Sequence, residues 1–150
     1  MGWETLVHYI KLIVLSDMKR KIVLMILFAL VNICFAQTVS TSELNGTKWT
    51  LVSPVCDYCE RGMSFTMDTR ITTEKYKRLN KAFKLPLKYY LSPSIPKTFD
   101  SSQIGKNRKG CYIIQLVDDA VFWFKIVEVS STKITLLSKL GDTTVYQKVK

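Results

Sequence analysis

The chain predicts an all-β fold, an antiparallel meander that curls into a barrel or half-barrel and carries one short amphipathic basic helix. Two observations carry that reading. The last third is strand after strand: residues 111–117, 121–129, 134–140 and 143–149 are rich in β-branched and aromatic residues. Breaks at Asp118-Asp119, 130–133 and Gly141-Asp142 separate them, and Gly and Asp accept the positive φ that tight hairpins require. Further upstream, Met63, Phe65, Met67, Thr69 and Ile71 alternate with Ser64, Thr66, Asp68, Arg70 and Thr72. Period 2 marks a strand with one buried face. Some seven strands joined by short connections pair with their sequence neighbours. A sheet with one apolar face must then pack on something or close on itself.

The ends set the bounds of that domain. Residues 18–36 (MKRKIVLMILFALVNICFA) carry basic Lys19, Arg20 and Lys21, an apolar stretch interrupted by Asn32, and small residues flanking Phe35. This is the pattern of a secretory signal helix cut after Ala36, with export to the periplasm or the extracellular space. Its apolar run falls short of the roughly 20 residues of a spanning helix. Residues 1–17 precede a good signal and read as an over-extended start. Cleavage leaves 114 residues with a net charge of +8, removes His8, the only histidine, and retains Cys56, Cys59 and Cys111. That is enough chain for one core.

Residues 37–43 are polar and read as a flexible lead-in to a domain over 44–150. Lys48–Ser53 is a short strand, ended by Pro54 and the Cys56-Asp57-Tyr58-Cys59 loop. Over 73–84 the period changes. Tyr76, Leu79 and Phe83 recur at helical spacing, Thr73 can cap, Glu74 falls in the first turn and Pro86 stops the run. Residues 88–92 are again strand-like. Pro93, Pro96 and Asp100-Ser101-Ser102 make an irregular connection that leads to a basic turn over 105–110.

The stretch Leu44-Asn45-Gly46-Thr47-Lys48-Trp49 resembles the first strand of small bacterial secreted lipocalin-like (calycin) proteins, in which a Gly-x-Trp motif starts the barrel and its tryptophan plugs one end. Here two residues separate Gly46 from Trp49. Tyr89-Tyr90-Leu91-Ser92, Phe99-Asp100 and Gly110-Cys111-Tyr112 are similar to the middle of such chains. Phe124-Lys125-Ile126, Ile134-Thr135-Leu136 and Tyr146-Gln147-Lys148 are similar to their closing hairpins. The resemblance spans 44–150 and implies a calycin-type barrel with an apolar cavity.

The chemistry is defined first by what is missing. Without histidine, the exported chain excludes a Ser-His-Asp triad, a Cys–His nucleophile and a His metal site. The acidic residues are scattered, Asp118-Asp119 reads as a turn, and there is no phosphate loop or nucleophile elbow. No enzyme, cofactor or metal is expected. Cys56 and Cys59 have redox spacing, but an alternating strand follows them where a thioredoxin-type site needs a helix N-terminus. Export favours a structural disulfide, expected between Cys111 and one of the pair, with a local Cys56–Cys59 bridge and a redox dithiol as alternatives. The long loop would be worth about 4 kcal/mol. Lys75, Lys77, Arg78, Lys81 and Lys84 form a basic face suited to an anionic membrane surface or an acidic protein partner; nucleic acid is not expected for an exported chain. Trp49, Met63, Phe65, Met67 and Phe124 are the candidates to line a cavity for a small apolar or amphipathic molecule. A ligand-binding barrel and an interaction protein without a cavity are thus the two readings.

Overall fold

The structure is a computed structural model that describes residues 37–79 and 81–150. The expected over-extended start (1–17) and signal with cleavage after Ala36 (18–36) lie outside the described residues. Eight strands make one antiparallel sheet: β2 (Lys48–Ser53), β3 (Cys59–Phe65), β4 (Thr69–Tyr76), β5 (Lys81–Ser92), β7 (Tyr112–Val117), β8 (Ala120–Val129), β9 (Lys133–Ser138) and β10 (Thr143–Lys148). Each pairs with the next, and β10 pairs back onto β2, so the barrel is closed. This is the all-β, up-and-down, lipocalin-like architecture, complete rather than half-formed.

One end is stoppered by the N-terminal segment. β1 (Val39–Ser40) pairs with β6 (Lys109–Gly110), and α1 (Thr41–Leu44) follows. The Ser40 hydroxyl accepts from the Glu43 N–H at 3.3 Å and the Glu43 carboxylate accepts from the Ser40 N–H at 2.6 Å, a reciprocal capping box. The Ser40 hydroxyl, which donates to Glu43 Oε2 at 2.7 Å, and the Ser40 N–H hold the Glu43 carboxyl below its usual range. Gly110 allows the close approach, because a Cβ there would run into the Ser92 backbone. Residues 37–43 are therefore not the flexible lead-in expected of them: most of that stretch is paired or helical, and Val39 and Leu44 enter the core. Trp49 stands beside them at the start of β2, its indole N–H donating to Thr47 Oγ1 at 2.8 Å.

The period-2 pattern does not belong to a single strand. β3 ends at Phe65, a turn occupies Thr66-Met67-Asp68, and β4 starts at Thr69. The Thr66 and Thr69 hydroxyls donate to Asp68 Oδ1, and Thr66 Oγ1 accepts from the Thr69 N–H at 3.0 Å. Crossing that turn reverses the phase. Phe65 is directly opposite Arg70 and Met63 opposite Thr72, so Arg70 faces inward and Ile71 outward.

The expected basic helix over 73–84 is a correction. Those residues are the end of β4, a turn and the start of β5, and the described residues contain a single short α-helix, at Thr41–Leu44. Tyr76 and Phe83 touch edge-to-face at 5.8 Å across this hairpin. A seven-residue separation fits a hairpin as well as a helix, and the β-branched Ile71-Thr72-Thr73 run favours the strand. Pro86, expected to end the helix, is accepted within β5. From Lys81 to Lys88 this strand pairs only with β4, because the β5–β7 ladder covers Tyr89–Ser92. Proline belongs on such an edge, and Lys84 and Lys88 guard it further. The Asp118-Asp119 hairpin is as expected, with φ of 48° and 61°.

Candidate functional site

The inward-facing residues change character from one end of the barrel to the other. Near α1, Trp49, Met63, Phe65, Tyr89, Leu91, Ile113, Ile126, Ile134 and Leu136 form one buried cluster. Phe124, Val129 and Tyr146 pack against it and are only partly buried. Further along the same inner face, Leu51, Thr72, Leu87, Val117 and Thr144 are half-buried. At the far end Leu85 is 58% exposed and Phe83 48%. Both lie on the stretch of β5 that pairs only with β4, beyond the end of the β5–β7 ladder. The packed α1 end is the plug of the barrel, and the less covered remainder of its inner face is the cup.

Two polar side chains sit at the level where plug gives way to cup. Arg70 is 8% exposed, and its guanidinium carbon lies 4.1 Å from the centre of the Phe124 ring, reaching from β4 across to β8. Its only side-chain hydrogen bond among the described residues is a long one, 3.4 Å from Nη2 to Thr72 Oγ1, and Nε is buried with no partner. Burial pushes Arg70 down to about 10, against an opposing effect of Tyr146, so it stays charged at neutral pH. Gln115 is 0% exposed, and neither its Nε2 nor its Oε1 meets a partner among the described residues. Gln115 is directly opposite Phe122 on β8, and the Phe122 and Phe124 rings lie 5.2 Å apart. Both unsatisfied side chains thus border one aromatic pair.

Ion pairing elsewhere shows how unusual Arg70 is. The described residues hold three ion pairs: Arg61–Glu74 at 3.1 Å, Lys133–Glu128 at 2.8 Å and Lys88–Asp68. None involves Arg70. Arg61 and Glu74 are cross-strand neighbours near the mouth, where solvent reaches both. The rim itself is aromatic. Tyr58 stacks on Tyr76 at 6.3 Å, Tyr76 meets Phe83, and Lys81 lies 5.1 Å from the Phe83 ring. Hydrogen bonding to Glu74 raises the Tyr76 phenol above its usual range.

The residues singled out from sequence divide between plug, floor and rim. Trp49, Met63 and Phe65 belong to the buried plug, not to the open lumen. Met67 is a turn residue between β3 and β4. Phe124 alone stands at the floor of the cup, beneath Arg70. Lys75, Lys77, Arg78, Lys81 and Lys84 are all exposed, on the β4–β5 hairpin and its turn, with Lys77 Nζ donating to the Asp57 carbonyl at 3.1 Å. The disulfide joins Cys56 to Cys59 and leaves Cys111 free and buried, which corrects the expected long-range bridge. Cys59 opens β3 at the mouth, whereas Cys111 precedes β7 at the plugged end, hydrogen-bonded to Pro93 O at 3.5 Å. A disulfide needs Cα atoms within about 7 Å.

Arg70, Gln115 and Tyr146 were missed as site residues. The Thr66-Met67-Asp68-Thr69 string is a turn signal whose recognition turns Arg70 inward, and Gln115 interrupts the apolar run Ile113-Ile114-Gln115-Leu116-Val117 at an inward position.

The chain thus forms a closed up-and-down β-barrel whose inner face carries both apolar and polar side chains. Set against family models, curated proteins and solved structures, the chain finds no match.

Proposed function

We propose that this is an exported, non-enzymatic binding protein that holds a small hydrophobic or amphipathic molecule in the open half of its barrel, in the manner of the lipocalin-like proteins its sequence resembles. The observation that carries this reading is the gradient along the inner face, from a buried plug to half-buried Leu51, Leu87 and Val117. Apolar side chains left open to water inside a concave wall gain by being covered, at about 25 cal/mol per Å². The Cys56–Cys59 disulfide supports export to an oxidising compartment. The test is calorimetric titration with decan-1-ol, with Leu51→Trp as the variant that fills the lumen. Saturable one-to-one binding that Leu51→Trp weakens at least about tenfold supports the cup. Absence of saturable binding, or binding indifferent to Leu51→Trp, contradicts it.

A second reading is favoured by the hairpin at the rim. Exposed Leu79, Phe83, Leu85 and Tyr58 stand among Lys77, Arg78, Lys81 and Lys84. Apolar residues ringed by cations suit an anionic membrane surface. Charge reversal of Lys77, Arg78 and Lys81 to Glu should release the protein from phosphatidylglycerol vesicles, and unchanged sedimentation with those vesicles rules this reading out.

A further inference from the structure

The floor of the cup carries a charge that no acidic residue among those described balances. We infer that Arg70 and Gln115 form an anion-binding floor, and that the molecule held in the barrel is an amphiphile ending in a single carboxylate. This rests on the cup reading above and adds the identity of the ligand's polar end.

A buried guanidinium is normally retained with a carboxylate beside it, because an unpaired buried charge loses its hydration with nothing in return. Arg70 has no acidic partner among the described residues, and its Nε has no hydrogen bond at all. The Phe124 ring beneath the guanidinium attracts the cation but supplies no acceptor. The Gln115 amide, bordering the same Phe122–Phe124 pair, adds a donor and an acceptor unused among the described residues. A fork of N–H groups with an amide donor nearby matches a carboxylate, which accepts two parallel hydrogen bonds from arginine. A purely structural residue in this place would be apolar, as its neighbours in the plug are.

The charge count selects carboxylate over phosphate. Arg70 is the one buried guanidinium among the described residues, and the next arginine up the wall, Arg61, is committed to Glu74. A dianionic phosphate would leave one negative charge unmatched. With the carboxylate at Arg70, the hydrocarbon chain runs past Phe124, Leu51 and Leu87 towards exposed Leu85 and Phe83, the apolar half of the cup.

The experiment compares decanoate, decan-1-ol and decyl phosphate by titration calorimetry at pH 8 on the full chain, wild type against Arg70→Met and Gln115→Leu. Wild type should bind decanoate at least about tenfold more tightly than decan-1-ol, the range expected for a charge-assisted hydrogen-bonded pair. Arg70→Met should bring decanoate down to the alcohol's affinity and leave the alcohol within about twofold of wild type; Gln115→Leu should reduce the preference by several-fold. If Arg70→Met does not fold, Arg70→Lys keeps the charge without the planar fork and should lose most of the preference. Equal affinity for decanoate and decan-1-ol overturns the anion floor and leaves the cup standing, whereas no binding of either overturns the cup itself. A preference that survives Arg70→Met, or tighter binding of decyl phosphate than of decanoate, also overturns the assignment.

Discussion

The two halves of this barrel are built from the same strands and do opposite things. At the α1 end the inward apolar side chains pack into one cluster, and Phe65, Tyr89, Leu91, Ile113, Ile126 and Leu136 are almost wholly buried. At the mouth the same alternation presents leucine and phenylalanine to solvent. Between them lies Arg70, charged, buried and without an acidic partner among the described residues. The contrast with Arg61 is as sharp: Arg61 meets Glu74 where water already screens both, while Arg70 meets no acid among the described residues where one would count most. Stability is concentrated in one half and unspent apolar and ionic interaction in the other, the distribution a binding barrel needs.

The largest expected effect tests the plug against the cup directly. Phe65→Ala should cost about 3–5 kcal/mol, because a large buried side chain leaves a cavity. Leu85→Ala, on the same inner face at the mouth, should stay within about 0.5 kcal/mol. Urea unfolding of the two variants checks this, and similar losses for both would remove the distinction between the halves.

Next comes the mouth's own tether. The Cys56–Cys59 loop is short, so replacing both cysteines by serine should cost about 2 kcal/mol in the chain-entropy model, well under the value for a long-range bridge. Thermal unfolding of the double variant measures it.

Arg70→Met should move stability in the opposite direction. Removing an unpaired buried charge relieves its desolvation, and the loss of stacking on Phe124 offsets part of that gain. The ligand-free variant should melt at or above the wild-type temperature by an amount equivalent to about 1 kcal/mol. A clear fall in melting temperature would make Arg70 a structural residue.

The smallest effect concerns pH. Hydrogen bonds from Lys88, Thr66 and Thr69 hold Asp68 down to about 2. A depressed folded-state carboxyl stabilises above its unfolded value of about 4, and that contribution is lost as pH falls from there towards 2. Asp68→Asn should flatten this part of the acid-unfolding profile.

Much of the barrel was legible in the sequence. Lys48–Ser53 has the bounds expected of it, the closing strands fall where β-branched runs lie, and Asp118-Asp119 makes the hairpin its residues demand. What was not legible turned on phase and on distance. A three-residue turn at Thr66-Met67-Asp68 leaves the alternation of residue types unbroken while it exchanges inside and outside, and this hid Arg70 among the surface cations. Spacing of Tyr76, Leu79 and Phe83 suits a helix and a hairpin alike, and only cross-strand pairing decides between them. The disulfide depends on which end of the barrel each cysteine occupies, a property of the closed fold rather than of any local pattern. The site was therefore harder to read than the scaffold: its floor is made by two polar residues whose significance lies in partners they do not have.

The central claim is that the open half of the barrel, and not its packed half or its outer face, receives the ligand. Methyl-resolved NMR during a decanoate titration tests it most directly. The account predicts saturable shifts at Leu51, Leu87 and Val117 around the cup, with Leu91, Ile113 and Leu136 of the plug nearly still. Shifts confined to outward residues such as Val52 and Ile71, or none at all, would contradict it.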